Sequence, residues 1–323
     1  MDKGWAAWAV MMSNDRLPKG APLNPMPDGS KGQKASTYLS NLRTRMSRLS
    51  KVEIPGFKEG LVTRLRSWEP GRVTTGWWLT RTGKEYMHAP YSIATEPSVL
   101  KAGHVWDSAD IGFQIESLFG LTILSERETT SGQTFRDGLT QEVPTSLFKA
   151  KRTGQERDGL PRSKRPDLAI LHTSSSGRVS FTAIEVERVM SRPIRDYREK
   201  LLTYTEDPHV DAIWYLCDRA PIRNRVRQAY TDLLKAGEIA DTSTTPTLVE
   251  TVQHWGEPPP REQQDGYLRR TTSWVGLPGI GLDGSPLLNS KGEPSAVGKR
   301  MLGALRMEQT MQSASTPSNG RAH

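Results

Sequence analysis

The stretch Arg165-Pro166-Asp167-Leu168-Ala169-Ile170-Leu171 and its sequel Phe181-Thr182-Ala183-Ile184-Glu185-Val186-Glu187 decide how this chain is read. Leu168 to Leu171 is apolar throughout, as expected of a central strand buried on both faces. Thr173-Ser174-Ser175-Ser176-Gly177 carries turn residues. In the second run, side chains alternate between faces. Phe181, Ala183, Glu185 and Glu187 therefore share one face, and Thr182, Ile184 and Val186 share the other. Two acids beside buried aliphatic residues are costly unless they are paired or bind metal. A hairpin would bring Asp167 close to Glu185, giving hard oxygen ligands on rigid elements. That is a site for a divalent cation and phosphodiester chemistry. The plainer reading has Asp167 capping a strand and the glutamates facing solvent on an edge.

The surrounding elements extend the pattern. Ser191 can cap a helix and Pro193 suits its first turn. Ile194, Tyr197, Leu201 and Tyr204 then form a helical stripe, ended by Asp207-Pro208. Val210 to Cys217 reads as a further strand, and Ile222 to Ala236 as an amphipathic helix closed by Gly237. Upstream, Ser108 to Leu118 reads as a helix with Ile111, Ile115 and Leu118 on one face, followed by a strand at Leu121 to Ser125. Thr247 to Val252 offers an edge strand. The order is helix, strand, strand, strand, helix, strand, which defines an α/β (α+β) class.

Charge is unevenly placed. Residues 1–90 hold 15 Lys and Arg against 7 Asp and Glu, a net of +8, which equals the net charge of all 323 residues. The remainder is neutral. A basic segment attracts phosphate and contributes salt-dependent affinity. Within it, Ser36 to Ser50 reads as a helix whose stripe is Leu39, Leu42, Met46 and Leu49. Arg43, Arg45 and Arg48 lie off that stripe, with Lys51 just beyond. Leu61 to Arg66, carrying Arg64 and Arg66, turns at Glu69-Pro70-Gly71 and returns over Thr75 to Leu79. A helix followed by a basic hairpin is the docking unit of winged-helix proteins. These six basic residues are the expected contacts to double-stranded DNA.

Other features restrict the class. The single Cys217 forbids an intramolecular disulfide and falls on an apolar strand. The six histidines include no HxxxH pair, which argues against zinc. The apolar run Trp5 to Met12 is too short to span a bilayer and lacks a cleavage pattern, so a cytoplasmic protein is expected. Hydrophobic content is 35%, low enough to suggest that part of the chain is tail.

Taken in order, these residues resemble the PD-(D/E)xK nuclease superfamily core. More narrowly, residues 35–235 resemble the replication-relaxation family of actinobacterial plasmids, integrative elements and phages. The shared pieces are Trp77-Trp78-Leu79-Thr80-Arg81-Thr82-Gly83, Ser125-Glu126-Arg127-Glu128, Arg165-Pro166-Asp167 and Ile184-Glu185-Val186-Glu187. Lys200-Leu201-Leu202-Thr203-Tyr204 resembles the QxxxY motif of the exonuclease branch, with Lys200 in place of Gln. The resemblance implies Asp167 and Glu185 as ligands of Mg²⁺ or Mn²⁺. Glu116, or its rivals Glu126 and Glu128, would be a further acid. The motif calls for Lys where Glu187 stands. Glu187 would then be a ligand or base, and Lys200 the substitute lysine. Arg188 and Arg192 can only position, because an Arg keeps its proton.

The expected organisation is an undefined segment 1–34, a winged-helix domain 35–90, a linker 91–106 and a nuclease-like domain 107–255. A Pro/Gly/Ser-rich, largely disordered tail would cover 256–323. Three functions fit. One is a DNA-binding protein of a mobile element that acts in replication, relaxation or transfer, with Mg-dependent cleavage and other replication or transfer proteins as partners. The second is a catalytically inactive accessory of the same architecture. The third is a winged-helix regulator whose second domain senses a partner.

Overall fold

A computed structural model describes residues 44–56, 58–65, 76–86, 99–136, 139–144, 147, 165–174, 176–188, 192–239, 246–255, 274–281 and 283–315. The chain divides into two compact units. The first comprises Met1–Phe113, Gln133–Gln141 and His254–Gly276, and the second Gln114–Gly132, Glu142–Gln253 and Leu277–His323.

In the first unit, residues 44–49 are helical, with Met46 buried and Arg45, Arg48 and Lys51 exposed. Leu49 is also exposed, so the predicted stripe holds at Met46 but not at the helix end. A hairpin follows, pairing β1 (Val62–Leu65) antiparallel with β2 (Gly76–Leu79). The short helix α1 (Arg81–Tyr86) starts behind Thr80, whose hydroxyl accepts from the Gly83 amide. The structure thus contains the expected helix-and-hairpin elements. Arg43 and Arg66 lie outside the described residues, as does the side chain of Arg64.

The stretch expected to be a linker, 91–106, is not wholly one. Helix α2 (Val99–Phe119) begins well inside it. Prolines and a lone His suggested a connector, but Val99 to Phe119 contains no proline, and Asp107, Asp110, Ile111, Gln114 and Ile115 are buried along the helix.

The second unit is a mixed α/β domain around a five-stranded sheet. Its strands are β3 (Ile123–Ser125), β6 (Leu168–Thr173), β7 (Val179–Glu187), β8 (Val210–Cys217) and β9 (Thr247–Thr251). They lie side by side in that order. The short helix α3 (Glu126–Ser131) and the hairpin of β4 (Gln133–Arg136) with β5 (Leu139–Glu142) fall between β3 and β6 in sequence. Strands β3, β6 and β7 are antiparallel neighbours, whereas β7, β8 and β9 run parallel. The β6–β7 turn closes on Gly177, whose φ of 78° is a left-handed value that a side chain would strain.

Parallel neighbours need crossover helices. These are α4 (Ile194–Thr205) between β7 and β8 and α5 (Ala220–Lys235) between β8 and β9. Helix α4 buries Tyr197, Leu201 and Tyr204. Helix α5 carries a Pro in its first turn and buries Ile222, Val226, Ala229 and Leu233. Both stripes join one core with Ala169, Phe181, Ala183, Ile213, Tyr215 and Cys217. By the period-two rule this core lies on the sheet face that also bears Glu185 and Glu187.

The C-terminal region departs from expectation. Strand β10 (Gln253–Trp255) pairs with β11 (Trp274–Gly276), and helix α6 (Ala296–Ser315) follows two isolated bridges, Ile280 to Pro286 and Leu288 to Pro294. The predicted disordered tail over 256–323 is therefore corrected for its described parts, 274–281 and 283–315. Helix α6 buries Met301, Leu305 and Glu308, which gives it a docking stripe despite its polar composition. Its Glu308 is hydrogen-bonded to Thr182, so it packs on the sheet face opposite Glu185. Close approach at its start requires glycine: a Cβ on Gly279 would meet the Gly298 amide nitrogen at 2.5 Å. No helix among the described residues is long and apolar enough to cross a membrane.

Candidate functional site: a buried acid pair and its cations

Strand β7 is buried along nearly its whole length, so its two glutamates are held in the interior. Glu185 is 3% exposed and Glu187 5%. The β6–β7 register pairs Leu168 with Ile184. Continuing it by one step sets Asp167 opposite Glu185, and Asp167 Oδ2 accepts from the Val186 amide at 2.8 Å. The hairpin thus brings together the two acids singled out in the sequence. The bond to Val186 orients the Asp167 carboxylate where β6 begins and β7 ends.

Helix α4 supplies the partners of Glu185. Lys200 Nζ lies 2.5 Å from Glu185 Oε2, and Tyr204 Oη donates to Glu185 Oε1 at 2.5 Å. Lys200 and Tyr204 are four residues apart, so they sit one above the other on the same helix face. Their spacing lets one helix serve both oxygens of one carboxylate. Glu187 is met by Arg192, whose Nη1 lies 2.8 Å from Glu187 Oε2. The Arg192 guanidinium also lies over the Tyr197 ring, 5.8 Å from its centroid.

These contacts set the electrostatics. Burial pushes the Glu185 carboxyl up to about 7, and the neighbouring charge of Asp167 adds to the rise while Lys200 opposes it. For Lys200, burial acts downward, but Glu185 and Asp167 outweigh it and hold the ammonium above its usual range. Burial, followed by Glu185, also raises the phenols of Tyr204 and Tyr215 far above the ordinary tyrosine value. Both remain hydrogen-bond donors at neutral pH.

The remaining predicted acids are placed differently. Glu116 accepts from the Ile123 amide at 3.3 Å, bracing the turn from α2 into β3. Glu128 belongs to a capping box with Ser125, accepting from the Ser125 amide at 2.7 Å. Among the described residues, no three His, Cys, Asp or Glu side chains converge as a metal-holding group. The expected ligand set of Asp167, Glu185 and Glu116 does not form such a group there.

Sequence reasoning missed three buried arrangements. Tyr215 pairs with Glu185 across the parallel strands β7 and β8. Its hydroxyl is buried with no hydrogen-bond partner among the described residues. On the opposite sheet face, His172 Nε2 lies 2.9 Å from Glu308 Oε2, and Thr182 Oγ1 donates to Glu308 Oε1 at 2.9 Å. At the β9 edge, Glu250 is clamped by Arg227 at 3.1 Å and Arg300 at 2.6 Å. No local signal announces the last two, because their partners come from helices distant in sequence. Tyr215 was visible as a polar group in an apolar strand.

Fold and site together define a mixed α/β domain with a buried Glu185, a half-buried Asp167 beside it and a helix-borne lysine. Comparison with protein-family models, with curated proteins and with solved structures finds no match.

Proposed function

We propose that this chain is a DNA-binding protein of a mobile genetic element, acting in replication, relaxation or transfer. Its second unit would carry a phosphodiesterase site of the PD-(D/E)xK type. The contact between Lys200 and Glu185 carries the reading. The motif lysine is absent at Glu187, yet an ammonium still reaches the strand glutamate from the next helix. Support comes also from the element order α2, β3, β6, β7, α4, β8. In the first unit, the exposed Arg45, Arg48 and Lys51 beside a hairpin suit a winged-helix contact to double-stranded DNA.

The donor chemistry fits a divalent ion. Asp167 and Glu185 are hard oxygen ligands on facing strands, and each other's negative charge is what a dication would relieve. They would hold Mg²⁺ or Mn²⁺, which when bound polarises a phosphate oxygen and acidifies a water. Tyr204 fixes the Glu185 carboxylate. Lys200 brings a positive charge that can turn from Glu185 toward a phosphate and stabilise charge developing there. Glu187 is engaged by Arg192, which sets it aside as a base and leaves it a positioning role.

A second reading has its own observation. Both buried glutamates are already neutralised by protein cations, as in an accessory protein that binds without cutting. Incubating plasmid and linear DNA with the full chain and Mg²⁺ or Mn²⁺ separates the two. Cleavage abolished by Asp167→Ala and by Glu185→Ala, and cut roughly a hundredfold by Lys200→Met, supports the enzyme. Intact DNA under all conditions supports the accessory.

A further inference from the structure

Residues 91–323 carry no net charge, yet the fold gathers positive charge at one place in the second unit. Strands β7 and β8 are parallel, so both end at the same sheet edge, where the Asp218 amide donates to the Glu187 carbonyl at 2.9 Å. Helices α4 and α5 both begin there. The segments 188–198 and 218–227 hold eight arginines against two acids, Asp196 and Asp218. Glu187, Glu238 and Glu250, just outside these segments, neutralise part of that charge.

The two segments are tied together. Arg225 Nη1 donates to the Arg192 carbonyl at 3.3 Å, joining the start of α4 to α5. Several guanidiniums there are already spent. Arg192 holds Glu187, Arg198 holds Glu238, Arg219 holds Asp218 and Arg227 holds Glu250. Two are different. The Arg195 side chain is 79% exposed, and its nearest acid is Asp196 at 3.8 Å. Arg223 donates only to Asn224 Oδ1, at 3.1 and 3.3 Å, and no carboxylate among the described residues pairs with it. Planar guanidiniums held only by a long, exposed ion pair, as in Arg195, or by a neutral amide, as in Arg223, suit phosphate oxygens.

We propose that this arginine-rich edge, with Arg195 and Arg223 as its available ligands, grips the phosphodiester backbone of a nucleic acid beside the acid pair. The inference rests on the reading of the second unit as a nucleic-acid domain. It adds that the unit contributes its own affinity, where the sequence assigned most of it to the basic N-terminal segment. Arg192 links edge and site, because it is anchored to Glu187 on the strand that carries Glu185.

The test measures binding of the full chain to a fluorescein-labelled DNA duplex by anisotropy, in EDTA so that cleavage plays no part, across a series of NaCl concentrations. Each lost phosphate contact should flatten the dependence of log K on log[NaCl] by about 0.9. The Arg195→Ala/Arg223→Ala double variant is expected to bind more weakly with a slope shallower by about 2. Arg195→Lys/Arg223→Lys should retain most of the slope, and equal melting temperatures would show that the fold is intact. Unchanged affinity and slope in the alanine variant would overturn the proposal. So would competition by polyglutamate as effective as that by unlabelled duplex, which would reassign the edge to an acidic protein. These outcomes are independent of the cleavage assay: a flattened slope without cleavage sustains the edge and sinks the enzyme, and the converse also holds.

Discussion

Tyr215 stands directly across from Glu185 on the neighbouring parallel strand, yet the hydroxyl bound to Glu185 belongs to Tyr204. The Tyr215 hydroxyl is wholly buried and without a hydrogen-bond partner among the described residues. Its ring packs edge-on to Tyr197 with centroids 6.4 Å apart, so the aromatic body is useful where the oxygen is not.

The two phenols should therefore respond oppositely to loss of oxygen. An unmade buried hydrogen bond costs about 1–3 kcal/mol. Tyr215→Phe keeps the ring contact and is expected to raise the melting temperature by a few degrees, at about 2–4 °C per kcal/mol for a unit of this size. Tyr204→Phe removes a donor from a buried carboxylate and should lower it. Thermal unfolding of both variants checks the pair. A fall for Tyr215→Phe equal to that for Tyr204→Phe would show that the Tyr215 hydroxyl has a partner.

Lys200→Met should destabilise the second unit well beyond the loss of one surface ion pair. Glu185 is almost fully buried, and the Lys200 side chain is 28% exposed. Breaking a buried pair costs about 3–5 kcal/mol, reduced here by the partial access of water to Lys200. Glu185→Gln/Lys200→Met should recover much of the loss, because the uncompensated charge is gone. Denaturant midpoints of the single and double variants measure it. Equal midpoints for the two would mean that the pair contributes no more than a surface contact.

The pH dependence follows from the sign of the Glu185 shift. Its folded value, about 7, lies above the ordinary glutamate value of 4.5, so the folded state binds the proton more tightly. Its contribution to stability is present in full below about 4.5 and is lost as pH rises through 7. The shift corresponds to about 3 kcal/mol. Stability measured from pH 5 to 8 should fall more steeply in the native chain than in Glu185→Gln. Parallel curves would place the Glu185 titration outside that window.

Much of the second unit was legible because its signals are local. Leu168 to Leu171 and Val210 to Cys217 are continuous apolar runs, and each became a strand close to its expected limits. Tyr197, Leu201 and Tyr204 announced the buried face of α4, and with it the reach of Lys200. The contact of Glu116 was not legible, since an acid bracing a backbone amide looks in sequence like any other acid, whereas the Ser125-x-x-Glu128 spacing carried a capping-box signature that went unread. The arginine edge was lost because net charge averages over positions that the fold separates. Helix α6 was lost because its stripe of Met301, Leu305 and Glu308 is short and includes a charge, in a region rich in Gly and Pro.

That charge offers the sharpest test of whether α6 belongs to the domain. Glu308 is fully buried and accepts from Thr182 on β7, with His172 of β6 at 2.9 Å. Glu308→Ala would remove the acceptor of the Thr182 hydroxyl and leave a cavity beside His172, and should destabilise by about 2–4 kcal/mol. Glu308→Gln keeps the shape and an acceptor for Thr182, so its cost should be nearer 1–2 kcal/mol. Arg300→Ala should matter less than Glu308→Ala. Its side chain is 50% exposed, and Arg227 remains on Glu250. Hydrogen exchange over residues 296–315 should show protection that Glu308→Ala releases before the sheet unfolds. If 256–323 were the loose tail expected from composition, none of these substitutions would move the melting temperature, and those amides would exchange at once.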